Sequence, residues 1–154
     1  MTIEDDIAFL DGIPILHRLG APALRILAIG AEGYRLEAGQ VLFTAGDVAD
    51  GAYVVQRGSF TLRPERGGGA EIIAGPGTLL GESALLAETK RPATATARED
   101  STVLRISRTM FLKMLEGYPD AAHRLREVIA ARADQWARDI ENVRAALVSG
   151  DKRK

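Results

Sequence analysis

The chain has 154 residues, is 46% hydrophobic, and carries 20 basic against 21 acidic side chains for a formal charge of −1. That is enough apolar material for one domain with a buried core and too little length for two of full size, while the near-zero charge gives no general attraction to nucleic-acid phosphate. Without cysteine there are no disulfides or thiolate metal sites, and the acidic start "MTIEDDIAFL" and the lack of any long apolar run lead us to expect a cytoplasmic protein with neither nucleic acid nor membrane as partner.

From Ile7 to Glu32 apolar residues such as Leu24, Leu27 and Ala28 fall at helical spacing, and Pro22 stands where a first helical turn tolerates it. Residues 1–33 are therefore predicted as an N-terminal helical segment. Between Tyr34 and Ser107 the texture changes to short runs, "VLFTA", "AYVVQ", "SFTLR", "EIIA", "TATA" and "TVLRI", separated by glycine-rich turns. Short strands at such close spacing predict an antiparallel sandwich or barrel over 34–107. One stretch, "GESALLAE", breaks this pattern with good helix formers and predicts a helical turn or two inside the β region.

Helical spacing returns at Arg108 with "RTMFLKMLEGY" and, after Pro119, continues from Asp120 to about Val148, so 108–148 is predicted as C-terminal helices. In the last helix Ile129, Trp136 and Val143 are seven apart, interleaved with Ala133, Ile140 and Leu147. Two readings of this seam stand: an amphipathic helix lying on its own barrel, or a helix that pairs with a second copy of the chain as a homodimer. Residues 149–154, ending in "DKRK", read as a solvated basic tail.

The chemistry concentrates in "GESALLAETKRPATATA", Gly81 to Ala97, where a Gly-Glu pair precedes Arg91 by nine residues counted from Glu82. A short helix opening at Gly81 exposes backbone N–H groups, here those of Ser83 and Ala84, and suits an anion. Arg91 adds a planar, permanently charged fork that matches the two free oxygens of a phosphate diester. The same phosphate repels Glu82, which makes sense only beside a hydroxyl donor. A ligand with a phosphate and an adjacent hydroxyl answers both; the alternative is a favourable first-turn acid and an ordinary surface arginine.

The segment resembles the phosphate-binding cassette of cyclic-nucleotide-binding domains. The similarity extends to "LEAGQVLFTAGDVADGAYVVQRGSFTL", Leu36 to Leu62, with Gly39, Gly46, Asp50-Gly51, Tyr53 and Gly58 at the family's punctuation points, and to the flanking helices. The resemblance implies a mainly β fold with flanking helices: an antiparallel β-roll or jelly-roll (a double-stranded β-helix), with N-terminal helices, a short cassette helix inside the roll within 79–97, and a long C-terminal helix. It also implies that Glu82 accepts from a ribose 2′-hydroxyl and that Arg91 pairs with the cyclic phosphate. Backbone N–H groups of Ser83 and Ala84 would assist, Leu79 and Leu80 would form the apolar wall, and Gly81, Pro92 and Ala93 would complete the ligand-facing set. Arg132 and Trp136 are candidates for a lid over the purine, although Trp136 also belongs to the apolar seam.

Pro92 departs from the pattern. The family usually has serine, threonine or alanine there, and proline supplies neither N–H nor hydroxyl. One missing hydrogen bond to a charged group costs about 1.5 to 3 kcal/mol, or about tenfold to a hundredfold in affinity. Against this, Pro92 biases Arg91 toward an extended backbone that preorganises the guanidinium. Pro92 equally fits the first residue of an edge strand. Threonine at this position accompanies cGMP preference in relatives, so cAMP is the expected ligand, with cGMP as second choice.

Two histidines, His17 and His123, both outside the β region, do not make the converging set a cupin-like metal enzyme needs, so neither a metal, a cofactor nor catalysis is expected. The sequence continues only a few residues past the long helix, which leads to the expectation of a stand-alone sensor without a helix-turn-helix, acting on an effector protein of unknown identity. A member of the fold that binds no nucleotide and serves as an interaction scaffold is the alternative.

Overall fold

The computed structural model of the chain describes residues 2–64 and 71–128. Among the described residues the N-terminal helical segment expected over 1–33 comprises three helices, α1 (Ile3–Asp11), α2 (Pro14–His17) and α3 (Ala21–Gly30), with Gly12 and Gly20 at the breaks between them. A reciprocal capping box starts α1: Asp5 N–H donates to Thr2 Oγ1 and Thr2 N–H to Asp5 Oδ2, each at 3.1 Å. Pro14 opens α2 and Pro22 lies in the first turn of α3, where a missing N–H costs nothing. In α3 the residues Ala23, Leu24, Leu27 and Ala28 form the buried face.

Among the described residues ten strands follow, beginning at Glu32 rather than Tyr34. They are β1 (Glu32–Leu36), β2 (Val41–Phe43), β3 (Val48–Ala49), β4 (Gly51–Arg57), β5 (Phe60–Pro64), β6 (Ile72–Ala74), β7 (Leu79–Leu80), β8 (Thr89–Lys90), β9 (Ala93–Ala97) and β10 (Ser101–Ser107). One four-stranded sheet has the order β1-β10-β4-β7 and a second the order β2-β9-β5-β6, with β3 and β8 as a separate ribbon; all pairs are antiparallel. The expected antiparallel β-roll is the fold. After it comes α4 (Arg108–Gly117), capped by Ser107 Oγ accepting from Met110 N–H at 3.2 Å, and a helical stretch at 119–128. The heptad seam, the lid candidates Arg132 and Trp136, and the basic tail lie outside the described residues.

Side-chain alternation gives the first sheet two apolar faces. Ala52, Val54, Leu104 and Ile106 join the helices in one core, with Leu16, Leu24, Leu27, Phe111 and Met114. Leu36, Val55, Leu80 and Val103 meet Phe60, Ala74, Ala95 and Ala97 of the second sheet in the interior of the roll. Arg124 fastens 119–128 to the end of α2 through its Nε donating to Arg18 O at 2.7 Å and Nη2 to Leu19 O at 3.0 Å. Among the described residues no helix is long and apolar enough to cross a membrane. Phe60 is fully enclosed at the centre of the roll, so Phe60→Ala is expected to cost about 3–5 kcal/mol in urea denaturation, against less than about 0.5 kcal/mol for a change at exposed Arg98.

Candidate functional site

β8 and β9 are joined by Arg91 and Pro92, and the Arg91 backbone is held on both sides by the turn before β3. Its N–H donates to Asp47 O and its carbonyl accepts from Gly46 N–H, each at 2.8 Å. This clamp, followed by exposed Pro92, directs the side chain into the roll. Arg91 is only 5% exposed. Its guanidinium carbon stands 4.4 Å from the centre of the Phe43 ring and 5.5 Å from that of Tyr53, and the two rings stack with centroids 5.9 Å apart. These contacts compensate part of the charge's lost hydration through the ring faces.

Nη2 of Arg91 donates to Gly51 O at 2.9 Å. Nη1 is enclosed and has no hydrogen-bond partner among the described residues. Burial pulls the Arg91 guanidinium below the usual arginine value, while nearby Tyr53 and Asp50 oppose the shift; an arginine remains charged in either case. A buried, charged donor without an acceptor is costly, and an anionic oxygen is the group that would complete it. A second cation, Arg105, sits nearby: its Nη2 donates to Asp50 Oδ2 at 2.8 Å, which holds the Asp50 carboxyl below the ordinary carboxylate range. Tyr53 also lines a cleft of about 350 Å³ with Tyr34, Leu36, Gln40, Leu42 and Arg105, giving the site apolar and hydrogen-bonding surface beside its cation.

The residues after β7 meet Arg91 at Gly81. Gly81 adopts φ +80°, a left-handed conformation that favours glycine, and a Cβ there would push the Arg91 guanidinium aside. Glu82 is the first residue of the cassette helix, a four-residue 3₁₀ turn at Glu82–Leu85. The structure thus places Gly81 against the Arg91 guanidinium, with Glu82 next in the chain.

Three expectations need correction. Ala84 N–H, expected as a ligand donor, donates to Gly81 O at 3.0 Å, because a 3₁₀ turn uses its third N–H internally; Ser83 is exposed at the turn's surface. Leu79 and Leu80 do not form one wall, since neighbours on a strand face opposite ways: Leu80 lies in the roll interior and Leu79 packs against the helical core. Pro92 is no edge-strand residue; it precedes β9, which runs between β2 and β5 inside its sheet. Ala93, half-buried, opens β9.

Sequence reasoning missed Phe43 and Gly51 O as partners of Arg91. Gly51 and Tyr53 belong to the glycine-punctuated pattern, and that spacing was the available signal; nothing in the sequence marks Phe43. The histidines pair locally, His17 Nδ1 with Asp11 Oδ1 at 2.9 Å and His123 Nε2 with Glu127 Oε1 at 3.3 Å.

The cyclic nucleotide-binding domain family model matches residues 34–118. The chain belongs to that family. The cyclic AMP receptor protein of Thermus thermophilus is 35% identical over 127 residues, 80% of this chain and 58% of the relative. Lysophospholipase NTE1 of Chaetomium globosum is 33% identical over 104 residues, 66% of this chain but 7% of that enzyme. The chain therefore spans little more than half of one relative and a small fraction of the other. Among solved structures, a cyclic nucleotide-binding-like protein from Brucella abortus is 41% identical with a TM-score of 0.65, covering 73% of this chain and 98% of its own. The N-terminal domain of a transcriptional regulator from Streptomyces coelicolor is 27% identical with a TM-score of 0.77, covering 86% and 94%.

Gly81→Ala places a side chain in a left-handed backbone position against the guanidinium. A loss of about 1–3 kcal/mol is expected in thermal or urea unfolding, with a larger loss than for the same substitution at Gly33, where a Cβ meets nothing within 4 Å.

Proposed function

We propose that the protein is a receptor for a cyclic nucleotide, with cAMP as the preferred ligand, and that it acts as a binding module rather than an enzyme. The observation that carries this reading is the enclosed Arg91 guanidinium with one donor unmatched, set against Gly81, the residue before Glu82. A phosphate oxygen on Nη1 would satisfy that donor with a charge-assisted bond. Glu82, beginning the adjacent turn, would take the ribose 2′-hydroxyl, with Ser83 N–H as a further phosphate donor and Leu80 and Ala93 as apolar surface.

The cAMP preference is supported by the name of the Thermus thermophilus relative, a cyclic AMP receptor protein, and by Pro92, which lacks the hydroxyl that accompanies cGMP preference. Signalling would run from the cassette into the C-terminal helices. Leu85 of the cassette turn shares one core with Phe111 and Met114 of α4 and with Leu125, so a shift of the turn would be felt there. We further propose a cytoplasmic location and, through the C-terminal helix, a dimer or an effector contact.

Isothermal titration of the full chain with cAMP, cGMP and 2′-deoxy-cAMP tests the reading. Expected are saturable binding of cAMP, weaker binding of cGMP, a loss of about tenfold for the 2′-deoxy analogue, and a loss of about a hundredfold or more in Arg91→Ala. No heat with cAMP or cGMP at about millimolar concentration would sink the receptor and favour an interaction scaffold.

A further inference from the structure

The helical side of the molecule carries apolar surface that neither core accounts for. Ile26 and Ile29 of α3 are 38% and 61% exposed. Ile26 borders a cleft of about 530 Å³, lined also by Thr109, Met110, Lys113, Met114 and Tyr118 at α4, and no cassette residue reaches it. That volume is in the range of a small-molecule site.

The way α3 and α4 pack shapes the cleft. Gly30, the last residue of α3, stands against Met110 in the first turn of α4, where a Cβ would collide with the Met110 side chain. Pro22 and Ala23, at the other end of α3, share a neighbouring cleft with Gly117 and Tyr118, so the two helices run antiparallel and in contact. Met114, 2% exposed, belongs to the core beneath them. An α-helix with its side chains is about 10 Å or more across, too wide to enter between helices that meet through a glycine. A flexible alkyl chain is narrow enough, and methionine side chains adapt to its shape.

The polar content of the cleft is one-sided. No carboxylate lines it, and exposed Lys113 has no acidic partner among the described residues. An unpaired ammonium beside an apolar slot is complemented by an anion with an apolar body. We infer that the α3–α4 cleft is a binding site for a single-chain carboxylate amphiphile, a fatty acid, with its carboxylate on Lys113 and its alkyl chain along Ile26, Met110 and Tyr118. The site is separate from Arg91 and stands independently of the cyclic-nucleotide reading.

¹³C-methyl methionine spectra of the full chain test this, because two of its three methionines, Met110 and Met114, line the cleft. Octanoate, decanoate and dodecanoate are titrated below micelle formation, with dodecyltrimethylammonium as the opposite charge and phosphatidylglycerol vesicles as a membrane surface. Isothermal titration on the same samples gives the affinities. Expected are saturable shifts of both methyl groups with dodecanoate and an affinity that rises about threefold per added methylene. Binding is expected to be about tenfold weaker for the ammonium amphiphile and in Lys113→Glu, and within about threefold of the natural chain in Lys113→Arg. An unchanged urea midpoint shows that both variants, altered at an exposed position, remain folded. Methyl groups unmoved at about millimolar dodecanoate overturn the inference. Equal binding of the two charges, or dodecanoate binding undiminished in Lys113→Glu, overturns it as well, because the cleft is then apolar surface without selectivity. Shifts produced by the vesicles and not by dodecanoate overturn it in favour of a membrane surface.

Discussion

Keeping a guanidinium charged inside a β-roll is the constraint from which the rest of this structure follows. Removing such a group from water is unfavourable unless its donors are matched and its faces covered. Here the faces are covered by Phe43 and Tyr53, one donor is matched by Gly51 O, and the backbone on either side is clamped by Gly46 and Asp47. The remaining donor, Nη1, is enclosed against Gly81 without a partner among the described residues. Such an arrangement leaves one enclosed, charged donor without an acceptor. Glycine is favoured where the cassette approaches the cation, because the backbone there is left-handed and a Cβ would displace the guanidinium.

The two cores lie on opposite faces of the first sheet, one inside the roll and one under the helices. The first sheet is a single layer with Val55 and Val103 facing the interior and Val54 and Leu104 facing the helices. Close packing on both sides leaves little room for independent adjustment. The corner at residues 49–51 is the point where the sheet, the cassette turn and the start of α4 share hydrogen bonds. Arg91 holds that corner through Gly51 O.

Much of this was legible in the sequence, for identifiable reasons. Alternating apolar residues and glycine-rich turns dictate an antiparallel roll, and the Gly-Glu pair with Arg91 is local enough for its spacing to carry the site. Features set by tertiary contact were not legible. Phe43 is an ordinary strand residue until β2 pairs with β9 and brings it over Arg91. Gly51 supplies a carbonyl, which leaves no compositional mark. The misreading of Leu79 and the Ala84 N–H came from treating the cassette as one surface. A two-residue strand sends Leu79 and Leu80 to opposite faces, and a 3₁₀ turn consumes Ala84 N–H internally.

In the receptor proposed above, Arg91 Nη1 is the donor that would receive the ligand's phosphate. Side-chain ¹⁵N–¹H spectra of the arginine-labelled protein, assigned by comparison with Arg91→Lys, test it most directly when cAMP and adenosine are titrated in parallel. Phosphate capture predicts that the Arg91 guanidinium resonances shift and sharpen with cAMP and stay in place with adenosine, which lacks the anion. Saturation with cAMP that leaves those resonances unmoved would contradict it.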